Sequence, residues 1–347
     1  MRLILSGEFL IMTKFYKRLF GLLFFVVLIS VGVIYFTVDI NTVTNLTMFQ
    51  PWAIGLAFVS LAIGLLFDGL RLVHMVGISH GKISLKQTMP VVFGNYFLAL
   101  ITPGATGGAL AQLLFLRRAG VATGMATVFV VVRTLMSIVF LLCCLPIIFY
   151  HDTALLTQLA GQTIVSALVG LIGLTLVLVL AVRMPWVRRL LKRFGFRISR
   201  TRRHMLFQVY RDIRSAVQLL RSAPKMVFVI FIESGISLLA LYGVVPALFL
   251  GMNVDFDLGS VIGRMVLLNL LLYFAPTPGG SGIAEGGFVL LFNEFLPSGM
   301  VGIVAVAWRF IVEYVPFFVG FYFTIKAFGE DFMNAKQKAA EAKKKSS

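Results

Sequence analysis

Two short stretches of this sequence hold the residue types from which an anion site is built. Thr102-Pro103-Gly104-Ala105-Thr106-Gly107 and Thr277-Pro278-Gly279-Gly280-Ser281-Gly282 follow one pattern, and Gly108 extends the first. Asn95 stands seven residues before the first threonine and Asn269 eight before the second, while Arg133 and Arg309 follow by 31 and 32. Proline interrupts a helix and glycine lets a polar group approach the main chain. A helix that resumes after such a break offers free N–H groups and a positive dipole end to an anion. A guanidinium stays ionised and grips phosphate oxygens bidentately. The candidate substrate-binding residues are therefore Asn95, Thr102, Pro103, Gly104, Gly107, Gly108 and Arg133, with Asn269, Thr277, Pro278, Gly279, Gly280, Gly282, Glu285 and Arg309 as their counterparts. Two plainer readings stand beside this one. Each break is otherwise a kink in a packing helix, and the two arginines otherwise form internal ion pairs, for instance with Glu285 or Glu313. Glu285 lies three residues past Gly282, where it caps the resumed helix or binds a cation or proton.

Arg133, Glu233, Arg264, Glu285, Arg309 and Glu313 all fall in apolar runs. A charge inside a membrane span costs about 2.5–3.5 kcal/mol, so it faces a partner or a cavity. Asp68 and Arg71, three apart at the end of a span, read as an interfacial pair. Cys143 and Cys144, the two cysteines, read as small buried side chains. The four histidines have no metal-ligand spacing. With no nucleophile elbow, Walker loop, zinc pair or dinucleotide fingerprint in a fitting context, the expectation is no catalytic residue, no metal, no cofactor, and neither an enzyme nor an ATP-driven pump.

The elements that must position these residues are membrane helices. The chain of 347 residues is 59% hydrophobic and 13% charged, against about a quarter charged in soluble domains. Continuous Leu-, Val-, Ile- and Phe-rich runs exclude a barrel of alternating strands. The formal charge of +17 is not spread as a nucleic-acid surface requires. Lys and Arg gather between Arg183 and Lys225, whereas 39–50, 151–162 and 251–259 contain none, which is the positive-inside asymmetry. Full spans are expected at 19–38, 52–77, 123–149, 162–182, 226–250 and 299–325. The interrupted segments 90–116 and 259–297 are expected to enter and leave on one side, the first from the cytoplasm and the second from outside. The predicted fold is an all-α, polytopic helical bundle with inverted repeats and two re-entrant broken-helix hairpins.

In this scheme 1–18 is a short cytoplasmic lead rather than a cleaved signal, 19–150 the first membrane repeat and 151–327 the second. The latter includes the basic cytoplasmic loop 183–225, and 328–347 is a basic cytoplasmic tail. Residues 199–222 read as an amphipathic helix on the cytoplasmic leaflet, or as an ordinary basic connector. Both termini fall in the cytoplasm, and the location is the bacterial cytoplasmic membrane.

Asn95, Thr102 to Gly108, Arg117-Arg118, Val131-Val132-Arg133, Pro276 to Gly287 and Trp308-Arg309-Phe310 give the chain a wider resemblance. It resembles the flippase-like family related to the membrane region of lysylphosphatidylglycerol synthase, over nearly all of 15–327. Residues 276–287 are the most specific part. The resemblance implies a lipid-translocating bundle with inverted broken helices. Many relatives carry Glu after the first glycine pair where this chain has Ala109, so a mechanism with an acid in both breaks is not implied here. The synthase's soluble aminoacyl-transferring domain is not expected. The reading that results is a transporter moving an anionic or modified lipid between leaflets. Its expected partners are membrane lipids (an anionic or modified phospholipid, or a polyprenyl lipid), with a homo-oligomer or an envelope-lipid biosynthetic enzyme as further candidates and no nucleic acid. A membrane-embedded transferase acting on a lipid carrier is the alternative, as is a non-transporting scaffold for an envelope-lipid enzyme.

Overall fold

A computed structural model describes residues 49–152, 221–297 and 299–327, together with Ser215 and Gln218. The expected spans 19–38 and 162–182, most of the basic loop and of the 199–222 helix, the lead and the tail lie outside the described residues.

Among the described residues the chain is helical, and four helices are long and apolar enough to cross a membrane. These are α1 (Pro51–Ile78), α4 (Thr123–His151), the pair α5 (Pro224–Tyr242) and α6 (Val244–Gly251), which make one 28-residue span, and α9 (Met300–Ala327). Between them lie two helical hairpins, α2 (Leu85–Ile101) with α3 (Thr106–Arg118), and α7 (Leu258–Leu272) with α8 (Ile283–Phe292). Each boundary falls within a few residues of its expected place. Local chemistry explains this: Pro51 and Pro224 begin helices, where a missing N–H is harmless. The Gln87 side chain accepts from the Ser84 N–H at 2.9 Å to open α2, and Arg117 and Arg118 close α3 where cations suit the helix dipole.

Large apolar side chains stand exposed along these spans, including Trp52, Leu56, Phe228, Ile232, Phe318 and Tyr322. Such a surface is a liability in water and ordinary in lipid. Inside, small residues bring helices close: the Ser237 hydroxyl donates to the Gly64 carbonyl at 2.8 Å, where α1 and α5 run together. Cys143 is exposed and Cys144 half-buried, so the buried reading of this pair does not hold. α4 turns them towards its outer face.

The two halves repeat the order long span, hairpin, long span, and they exchange arms. The first arm of the first hairpin packs on α9 through Phe97 with Phe317 and Phe321, and Gly320 lies against the Phe93 carbonyl. The first arm of the second hairpin packs on α4, where Gly263 faces Ile148. The hairpin tips meet, with Pro103 and Pro278 forming an antiparallel backbone bridge. Exchanged arms and meeting tips are what the expected inverted repeats require.

Candidate functional site

At the tips, the two breaks share a backbone. Gly104 and Ala105 have φ of 61° and 53°, and Gly279 and Gly280 have 56° and 67°. Two successive left-handed residues suit glycine and strain alanine, which makes Ala105 the exception. In both breaks a hydroxyl three residues on returns to the proline carbonyl, Thr106 to Pro103 at 3.1 Å and Ser281 to Pro278 at 2.9 Å. Thr102 staples the first break, donating to the Leu98 carbonyl at 2.6 Å and accepting from the Gly107 N–H at 2.8 Å. The counterpart hydroxyl of Thr277 is buried without a hydrogen bond. Asn95 accepts from the Gln112 amide at 2.7 Å and faces Gly108, so it ties α2 to α3. The Asn269 carbonyl accepts from the Tyr273 N–H at 3.1 Å where α7 ends.

The second break is held from α9. Arg309, 1% exposed, donates through Nη2 to the Gly279 carbonyl at 2.6 Å and to the Ser281 hydroxyl at 3.3 Å. Its Nε lies 3.2 Å from Glu285 Oε1 and its Nη2 3.2 Å from Glu313 Oε2. Glu285 Oε2 accepts from the Gly282 N–H at 2.7 Å, which makes Glu285 the cap of α8. The ion-pair reading thus holds for Arg309 with the two acids expected.

For Arg133 the partner is a different one. Its Nε donates to Asp68 Oδ1 at 3.1 Å and its Nη2 pairs with Oδ2. Asp68 also binds Arg71, whose Nε donates to Oδ1 at 2.6 Å and whose Nη1 reaches Ser137 at 2.9 Å and Ser234 at 3.1 Å. Asp68 and Arg71 are 2% and 4% exposed, so the expectation of an interfacial pair is corrected: they sit inside the bundle and join α1, α4 and α5. Sequence spacing showed only their i, i+3 relation, and the pairing with Arg133 is 65 residues long. Beside Ser234, Glu233 pairs with His74 at 2.7 Å. Helix α1, which carries Asp68 and Arg71, also packs on the Phe310–Tyr314 turn that follows Arg309 in α9.

Arg264 belongs elsewhere. It binds Asp152 at 2.8 Å, the Leu291 carbonyl at 2.6 Å and Glu294, and it covers the Phe295 ring at 4.6 Å. Its donors and its charge are taken up in fastening α7 to α4 and α8.

Two comparisons bear on this arrangement. Residues 21–320 match the family described as the lysylphosphatidylglycerol synthase TM region. A UPF0104 membrane protein of Archaeoglobus fulgidus is 21% identical over 256 residues, which cover 69% of this chain and 75% of that protein.

Proposed function

We propose a lipid-translocating function from one premise: the chain belongs to the family of the lysylphosphatidylglycerol synthase transmembrane region. It is a membrane protein, and a lipid-related role suits its family. The finer reading is a flippase-like transporter, not an enzyme, that carries an anionic or modified lipid between leaflets of the bacterial cytoplasmic membrane, with both termini in the cytoplasm.

The observation that carries it is the pair of guanidiniums on one carboxylate. Arg71 and Arg133 share Asp68, which leaves the trio one positive charge in excess among buried side chains of three spans. A lipid phosphate drawn through the bundle loses its hydration, and an excess guanidinium with neighbouring N–H donors replaces part of it. The phosphate exchanges with Asp68 for Arg133, while Arg71 retains the carboxylate and the two serines. A cavity of about 350 Å³ between the first hairpin and the end of α9 supports an entry on the basic side. Leu98, Leu114 and Phe115 line it together with Arg117 and Arg118.

Proteoliposomes presenting fluorescent anionic, aminoacylated and polyprenyl lipids test the reading. Arg133→Gln is expected to slow translocation roughly tenfold, the loss of one charged hydrogen bond of about 1.5 kcal/mol. Arg309→Gln is expected to slow it as well. Removing the charge of the tail residue Lys343 is expected to change little. Full translocation retained by both arginine variants would reduce Arg133 and Arg309 to structural ion pairs.

A further inference from the structure

The second break carries a charge imbalance opposite to that around Asp68. Arg309 faces two carboxylates, Glu285 and Glu313, so the trio is one negative charge in excess when all three groups ionise. The ion pairs of this trio are not closed by well-aligned hydrogen bonds. Arg309 Nε and Nη1, Glu285 Oε1 and Glu313 Oε2 are buried with no aligned hydrogen bond. Buried polar atoms are nearly always bonded, so a cluster of loosely met ones calls for an explanation.

The two acids are not equivalent. Glu285 caps α8 through the Gly282 N–H and lies in the positive first turn of that helix, so backbone donors already meet its carboxylate. Glu313 has neither support. It lies in a π-helical turn, Phe310–Tyr314, where the Val315 N–H reaches back to the Phe310 carbonyl, a widening often found at functional sites. Its side chain is 18% exposed against 3% for Glu285, the less buried of the two acids. Among the described residues, the charged and titratable groups that bear on it are Arg309 and Tyr314 on its own helix, Glu285 on α8 and Tyr96 on α2, while α1, which packs on the same turn, carries Asp68, Arg71 and His74. Helix α6, which also packs on α9, has no titratable side chain.

We propose that Glu313 is a proton-binding site that couples translocation to a proton gradient, with Arg309 as the link to the second break. This rests on the lipid-translocating reading above. With a proton on Glu313 the trio is neutral, and Arg309 Nη2 is left to the Gly279 carbonyl. When Glu313 gives its proton to water, its carboxylate competes with Gly279 for that same Nη2, and the break loosens. Proton uptake from hydronium at one face and release to water at the other balances the cycle, one proton in and one out.

Two readouts on the full-length protein separate the outcomes. The first is infrared difference spectroscopy of the protein in vesicles of phosphatidylethanolamine and phosphatidylglycerol, taken between acidic and alkaline pH. A carboxylic C=O stretch that titrates in the wild type, persists in Glu313→Asp and is missing from folded Glu313→Gln supports the site, and the absence of that band in the wild type overturns it. The second is translocation of fluorescent phosphatidylglycerol in the same vesicles. A gradient of one pH unit amounts to roughly a tenfold bias for a one-proton carrier. A wild-type response that Glu313→Gln loses supports coupling, and equal rates with and without the gradient overturn it. If no lipid moves under any condition while the band titrates, the translocation reading falls with its coupling and the proton site stands.

Discussion

Asp68 is the one carboxylate on which two buried guanidiniums depend among the described residues. Its two oxygens hold Arg71 and Arg133, and all three groups are buried within membrane-spanning helices. Removing the shared acid leaves two guanidiniums unpaired, and breaking a buried pair costs about 3–5 kcal/mol. Asp68→Asn is therefore expected to lower the thermal midpoint of the protein in detergent sharply. Arg133→Gln leaves the Arg71–Asp68 pair intact and its two serines bound, so it is expected to melt near the wild type. A mild Asp68→Asn variant would show that water enters the cluster and that its charges are not buried. This asymmetry makes Arg133→Gln a clean functional probe, because a translocation defect there is not a folding defect.

Helix ends explain how the elements keep their places. Asp257 precedes α7 and accepts from the Ser260 N–H at 2.7 Å, with His151 of α4 at 3.0 Å on the same oxygen. The Ser260 hydrogen bonds, backbone first, and then His151 hold the Asp257 carboxyl below its ordinary value. A depressed folded value means that the cap contributes fully above the ordinary carboxylate range and is lost as pH falls through the folded pKa. Asp257→Ala is expected to cost about 1 kcal/mol near neutrality. Melting curves of the two proteins should converge in acid, and a difference that persists there would assign the effect to packing. The tips of the hairpins are fixed otherwise, by dihedrals and hydroxyls: Thr106 and Ser281 return to Pro103 and Pro278 in the same way, three residues along the chain. That local equivalence was legible because it needs only spacing.

At the scale of the molecule, the halves are alike in order and unlike in pairing. Arg309 holds its own break at Gly279, while Arg133 holds an acid on α1 instead. On the proposed transport function, an inverted pair in different contacts is the asymmetry that an alternating-access cycle would exchange between the halves. The expected inverted arrangement has a direct check. In a background without Cys143 and Cys144, single cysteines at Arg117 and Pro297 are expected to react with an impermeant reagent from opposite faces of intact membranes. Labelling of both from one face would sink the inverted arrangement.

The sequence by itself determined what depends on neighbours along the chain. The length of apolar runs set the spans, since a helix needs about 20 such residues to cross the hydrocarbon core. Pro103, Gly104, Pro278 and Gly279 set the breaks through dihedrals confined to a few residues. The Glu285 cap was within reach because it spans three residues. Tertiary structure alone decided that Arg133 meets Asp68, that Arg309 reaches the Gly279 carbonyl, and that Pro103 lies beside Pro278. Each of these contacts depends on how a helix is rotated about its axis and which neighbour it faces. In spans apolar on every side, no hydrophobic stripe announces that rotation. It is fixed by close contacts between small residues and by the need of each buried charge for a partner, and both are settled only when all the helices are in place.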